Sequence, residues 1–110
     1  MPTLLGMYTT DAEGNPVPTD DIETYGRFME DIEGRRVARE DAGDGDVSTV
    51  FLGIDHGFGR GKPVLWETLI FGGENDGKMW RYSSLADAKA GHSAVVAWLK
   101  AGGDEAECPD

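Results

Sequence analysis

Val47-Ser-Thr-Val-Phe-Leu-Gly-Ile-Asp-His56, Val64-Leu-Trp-Glu-Thr-Leu-Ile-Phe71 and Lys78-Met-Trp-Arg-Tyr82 are three runs of β-branched and aromatic residues separated by two glycine-rich breaks. In the first run the two-residue period of a strand puts Val50, Leu52 and Ile54 on one face and Thr49 and Phe51 on the other. The break over 57–63 has three glycines, which adopt positive φ without penalty, and Pro63, which cannot donate to a sheet, so the chain reverses there. Gly72-Gly-Glu-Asn-Asp-Gly77 is a second cluster of turn formers. These features predict an antiparallel meander.

The pattern then changes period. Ser84, with Asp87 three residues on, approximates a capping box, and Leu85, Ala88, His92, Val95, Val96 and Leu99 recur at helical spacing. Gly91 lies inside this helix, where it costs about 1 kcal/mol relative to alanine, so a close approach of the helix to the sheet is expected there. Gly102-Gly103 supplies the stop, and Lys100 complements the helix dipole.

Upstream, 3–8 reads as a short strand and 11–18 as a turn or loop. Asp20 and Glu23 mark the start of a helix carrying Ile22, Tyr25, Phe28, Met29 and Ile32 and ending at Gly34. Residues 35–40 offer a weaker fourth strand around Val37, followed by a polar turn over 41–46. The expected fold is α+β: a three- or four-stranded antiparallel meander packed with a C-terminal helix and a shorter N-terminal helix. It forms one domain over 1–103, followed by an acidic, disordered tail over 104–110.

With 110 residues, 39% of them hydrophobic, the chain is long enough for one core. No apolar run approaches the roughly 20 residues of a membrane span, and the N-terminus lacks a signal pattern, pointing to a cytoplasmic protein without membrane contact. Cys108 is the single cysteine and has no basic neighbour in sequence, so it reads as an incidental thiol. No motif calls for a cofactor or a metal.

The net charge of −11 is unevenly placed: −8 over 1–46, +1 over 47–101 and −4 over 102–110. Such a chain does not bind nucleic acid by phosphate neutralisation. It suits a protein partner with a basic surface, reached through long-range attraction, with nucleic-acid mimicry as a narrower form. Glu23, Glu30 and Glu33 form an outward stripe on the first helix, partly neutralised by Arg27; the alternative is a solvated face that serves solubility.

Candidate chemistry is sparse. Asp55 and His56 end a strand at the glycine loop, and with Glu67 and His92 they supply the residue types of a metal site or acid-base pair, although no HExxH-like spacing joins them. His56 reads as a loop histidine bonded to backbone, and His92 as a packed one. Glu67, within an apolar strand, needs a partner such as Arg81 if its face is buried. The loop 57–62 lacks phosphate-loop spacing and reads as a hairpin tip. If Trp66 and Trp80 fall on the face opposite the C-terminal helix, they form an aromatic patch suited to a partner or to a homo-oligomer.

Val47-Ser-Thr-Val-Phe-Leu-Gly-Ile-Asp-His-Gly-Phe58, Leu65-Trp-Glu-Thr-Leu-Ile-Phe71 and Arg81-Tyr-Ser-Ser-Leu-Ala-Asp-Ala-Lys-Ala-Gly-His92 resemble the core of small uncharacterised proteins encoded by bacteriophages of actinobacteria and by related bacterial genomes. The resemblance covers 47–92. It implies synthesis in a bacterial cytoplasm during infection and carries no activity or catalytic residue. Three classes follow: an accessory protein that binds a host or phage protein, a self-associating phage structural or assembly component, and a small metal-dependent or acid-base enzyme.

Overall fold

A computed structural model describes residues 3–110. Four antiparallel strands, β3 (Arg36–Ala42), β4 (Gly45–Phe51), β5 (Trp66–Phe71) and β6 (Met79–Tyr82), lie in sequence order as a meander. Helix α3 (Leu85–Lys100) crosses one face of it. The N-terminal part adds a two-stranded sheet, β1 (Tyr8–Thr10) with β2 (Pro16–Pro18), and helices α1 (Ile22–Glu30) and α2 (Ile32–Arg35). The fold is therefore α+β, with the predicted fourth strand present.

Register decides which face α3 covers. Val47, Thr49 and Phe51 of β4 lie opposite Ile70, Thr68 and Trp66 of β5, and all six are buried. The helix answers with Ala88, His92, Val95, Val96, Trp98 and Leu99. Ser84 caps it by accepting from Asp87 N–H at 3.0 Å. The apolar residues form two clusters: Ala42, Val47, Ile70, Val95, Val96, Trp98 and Leu99 at one end, and Tyr8, Phe51, Leu65, Trp66 and Ala88 at the other. Thr49, Thr68 and His92 occupy the positions between them in all three elements. Gly91 has the expected reason: a Cβ there would overlap the Tyr82 ring.

Several boundaries differ from the sequence reading. β4 stops at Phe51, five residues before His56, because Gly53 takes φ 79 and Ile54 keeps only an isolated bridge to Met7. Residues 16–18, read as loop, pair with Tyr8–Thr10; both prolines sit on an exposed edge strand where a missing N–H is tolerated. α1 is capped by Asp21, whose carboxylate accepts from Glu23 and Thr24 N–H. Phe28 meets Phe51 edge to face at 5.8 Å, seating α1 against the second cluster.

The tail, expected from its composition to be disordered, carries a 3-10 turn (Glu105–Glu107) and lies on the first cluster. The Trp98 indole N–H donates to the Asp104 carbonyl and the Trp80 indole N–H to the Pro109 carbonyl, both at 2.8 Å. Composition cannot anticipate this, because the donors belong to residues 29 and 6 positions away in the chain.

Candidate functional site

The four side chains considered for acid-base or metal chemistry fall in three separate places. Asp55 organises its own loop: Oδ1 accepts from Gly57 N–H at 2.7 Å and Val64 N–H at 2.9 Å, and Oδ2 from Gly59 N–H at 3.1 Å. Partial burial would raise its carboxyl pKa, but these three donors outweigh that effect and hold it below the usual value. His56 bonds through Nδ1 to the Ile54 carbonyl at 3.0 Å. A carbonyl only accepts, so Nδ1 carries the proton and Nε2 of the neutral ring keeps its lone pair.

Glu67 stands on the face away from α3 and pairs across the ladder with Arg81 at 3.1 Å. His92 is buried under α3. Its Nε2 lies 3.1 Å from Glu40 Oε1 and its Nδ1 2.8 Å from Thr49 Oγ1, which in turn meets Thr68 Oγ1. The carboxylate accepts from Nε2–H, so in the neutral ring Nδ1 accepts from the Thr49 hydroxyl and Thr49 accepts from Thr68. Among the described residues, no group of three or more His, Cys, Asp or Glu side chains is placed to hold a metal ion. No described helix is long and apolar enough to cross a membrane.

The partner-binding candidates are redistributed too. Trp66 and Trp80 share the face covered by α3. Trp66 is buried, and Trp80 packs edge to face on Trp98 at 6.2 Å. The condition for an aromatic patch on the open face is thus not met: the alternation that buries Ile70 and Thr68 also carries both indoles inward. The open face instead shows half-exposed Phe71 and Met79 between the Arg39–Asp46 and Arg81–Glu67 pairs. On the N-terminal helices Glu23, Glu30 and Glu33 are exposed, but Glu23 lies 3.6 Å from Arg27 and Glu33 receives Arg36 at 2.8 Å. Glu30 alone of the three forms no ion pair among the described residues.

A cavity of about 470 Å³ opens between the 3–8 segment and the Asp55 loop. Leu4, Leu5, Tyr8, Ile54, His56 and Phe58 line it. Phe58 holds a positive φ of 54, a conformation that bulky side chains rarely adopt, and its ring is 84% exposed.

A concentration of charge emerges at the opposite end. The β3–β4 turn, the β5–β6 turn and the tail meet there. Asp44 Oδ2 accepts from Glu74 N–H at 3.1 Å, Asn75 donates to the Gly103 carbonyl at 3.3 Å, and Lys78 pairs with Glu105 at 2.9 Å. The three segments carry seven carboxylates, Asp44, Glu74, Asp76, Asp104, Glu105, Glu107 and Asp110, and one lysine, Lys78, which pairs with Glu105. The last carbonyls of α3, beside Gly43 and Gly103, add the negative end of the helix dipole. In the sequence these acids lie between positions 44 and 110, and only the strand topology brings their segments together.

No protein-family model, no curated protein and no solved structure matches this chain.

Proposed function

We propose that this is a non-enzymatic binding protein that engages a basic surface of a protein partner through the acidic end of the sheet, in the phage-infected bacterial cytoplasm that the resemblance implies. One observation carries the reading: the two turns and the tail, joined by the Asp44–Glu74, Asn75–Gly103 and Lys78–Glu105 contacts, carry seven carboxylates and a single lysine that is already paired. Charges held at a fixed end of a rigid domain steer encounter with a positive patch and add to one another within the roughly 10 Å Debye length of 0.1 M salt.

The test is capture from an actinobacterial lysate with wild-type protein and with Glu74→Gln/Glu107→Gln as paired baits, eluting on a salt gradient. Neither side chain accepts a hydrogen bond among the described residues, so the variant keeps its fold. The expected result is a basic protein retained by wild type, released at modest salt and depleted from the variant. Equal recovery on both baits, or retention that persists in high salt, defeats the reading. Release by added duplex DNA identifies the narrower case of nucleic-acid mimicry.

A second reading rests on the cavity beside Phe58. Its volume falls within the usual range of small-molecule sites, and an aromatic held at positive φ over its rim is the kind of strain found at ligand clamps. Quenching or enhancement of Tyr8 and Trp fluorescence by an apolar probe, lost in Phe58→Gly, supports it; identical responses in both proteins reject it.

A further inference from the structure

A second, smaller cavity of about 170 Å³ lies where α2, β1 and α3 meet. Arg35, Arg36 and Lys89 line it with Thr10, over a floor formed by Phe51 and Trp66. Three of the chain's ten basic side chains thus converge on one pocket of a protein whose net charge is −11.

Their hydrogen bonds are incomplete. Arg35 donates from Nη1 to the Phe51 carbonyl at 3.0 Å, and Arg36 donates from Nη1 to both Glu33 oxygens. The Nε–H of each is buried with no acceptor among the described residues. Lys89 is exposed at the rim and forms no ion pair among those residues. Because each Nε is sealed from solvent, an anion in the cavity would be met by the outer guanidinium nitrogens and the Lys89 ammonium, with Arg36 already engaged by Glu33.

We propose that this pocket binds a single tetrahedral oxyanion, phosphate or a small phosphomonoester. Guanidinium forks match the oxygens of such an anion, and Lys89 and Thr10 line the cavity from other elements, which suits a tetrahedral dianion better than a planar carboxylate. Size argues the same way: the cavity is below the roughly 300 Å³ at which drug-sized ligands are accommodated, so it takes one charged group and not a nucleotide. The bound anion joins the β1–β2 segment to α2 and α3.

Titration calorimetry with inorganic phosphate and with glycerol 3-phosphate, at ionic strength held constant with sodium chloride, tests the assignment. Wild type is expected to bind at least one of them saturably with one-to-one stoichiometry. Tighter binding of the ester assigns the site to phosphomonoesters, and equal or tighter binding of phosphate assigns it to the free ion. Lys89→Glu, a change at an exposed position that leaves the core intact, is expected to weaken binding roughly tenfold or more. Arg35→Gln, with folding checked by circular dichroism, is expected to abolish it. Absence of saturable heat with both anions, equal affinity for acetate, or unchanged binding in Lys89→Glu overturns the proposal.

Discussion

Thr49→Val is the sharpest probe of the core. The substitution keeps the shape of the side chain but removes a hydroxyl that donates to His92 Nδ1 and accepts from Thr68. It strands two buried groups, the imidazole lone pair and the Thr68 O–H. At about 1–3 kcal/mol each, less about 0.8 kcal/mol for the extra buried methyl, the net loss is about 3 kcal/mol. That is a large part of the roughly 5–15 kcal/mol available to a domain. Thr68→Val alone removes one donor while Thr49 still serves His92, so it costs about 1 kcal/mol or less. In the Thr49→Val background the same change removes a stranded hydroxyl and is therefore stabilising, by about 1–2 kcal/mol. Urea unfolding at pH 7, followed by tryptophan fluorescence and far-ultraviolet circular dichroism, measures all four proteins. Additivity within about 0.5 kcal/mol, or a Thr49→Val loss below about 1 kcal/mol, refutes the directed hydroxyl chain.

Gly91→Ala drives a methyl into the Tyr82 ring; an overpacking cost of about 1–3 kcal/mol exceeds the roughly 1 kcal/mol gain in helix propensity. Repeating it in Tyr82→Ala should reverse the sign, and a loss of equal size in both backgrounds refutes the contact. Deletion of 104–110 removes the acceptor of both indole N–H groups, so melting should report a loss of about 2 kcal/mol with a red-shifted tryptophan emission; an unchanged spectrum counts against the packed tail. Asp55 is held below its ordinary pKa when folded, so it contributes stability above about pH 4 that disappears as pH falls through the folded value. The urea midpoints of wild type and Asp55→Asn should accordingly be apart at pH 7 and draw together as the pH falls below about 4, and a constant gap contradicts the linkage. Ser84→Ala should cost about 1 kcal/mol through the lost cap, read from the same unfolding curves.

The meander and α3 were legible because their signals are local. Strand alternation, glycine turns and a capped helical stripe each act within a few residues, and even Gly91 announced a close approach to the sheet, which the structure resolves as the Tyr82 ring. Facing was not legible where both faces of a strand are apolar: Val50, Leu52 and Ile54 compete on composition with Val47, Thr49 and Phe51, and only the position of α3 decides between them. Glu67 could be matched to Arg81 because adjacent strands of a meander define the pairing. The acidic end and the Arg35, Arg36 and Lys89 pocket could not be found that way, since each assembles residues from segments that share no local pattern.

The band of Thr49, Thr68 and His92 across the middle of the core has a consequence for strand alignment. A slip of one residue between β4 and β5 turns every side chain to the wrong face and is opposed by hydrophobicity. A slip of two preserves the inward and outward pattern, so apolar burial barely resists it. The band resists it, because Val47 or Phe51 would then face Thr68, and the hydroxyls and imidazole would lose one another. Replacing all three with Val, Val and Leu should leave a compact protein whose amide spectrum shows doubled β4 and β5 resonances, whereas a single set would show that the turns suffice. Three polar side chains thus act as an index mark, distinguishing one alignment of the sheet from others that grease alone would accept.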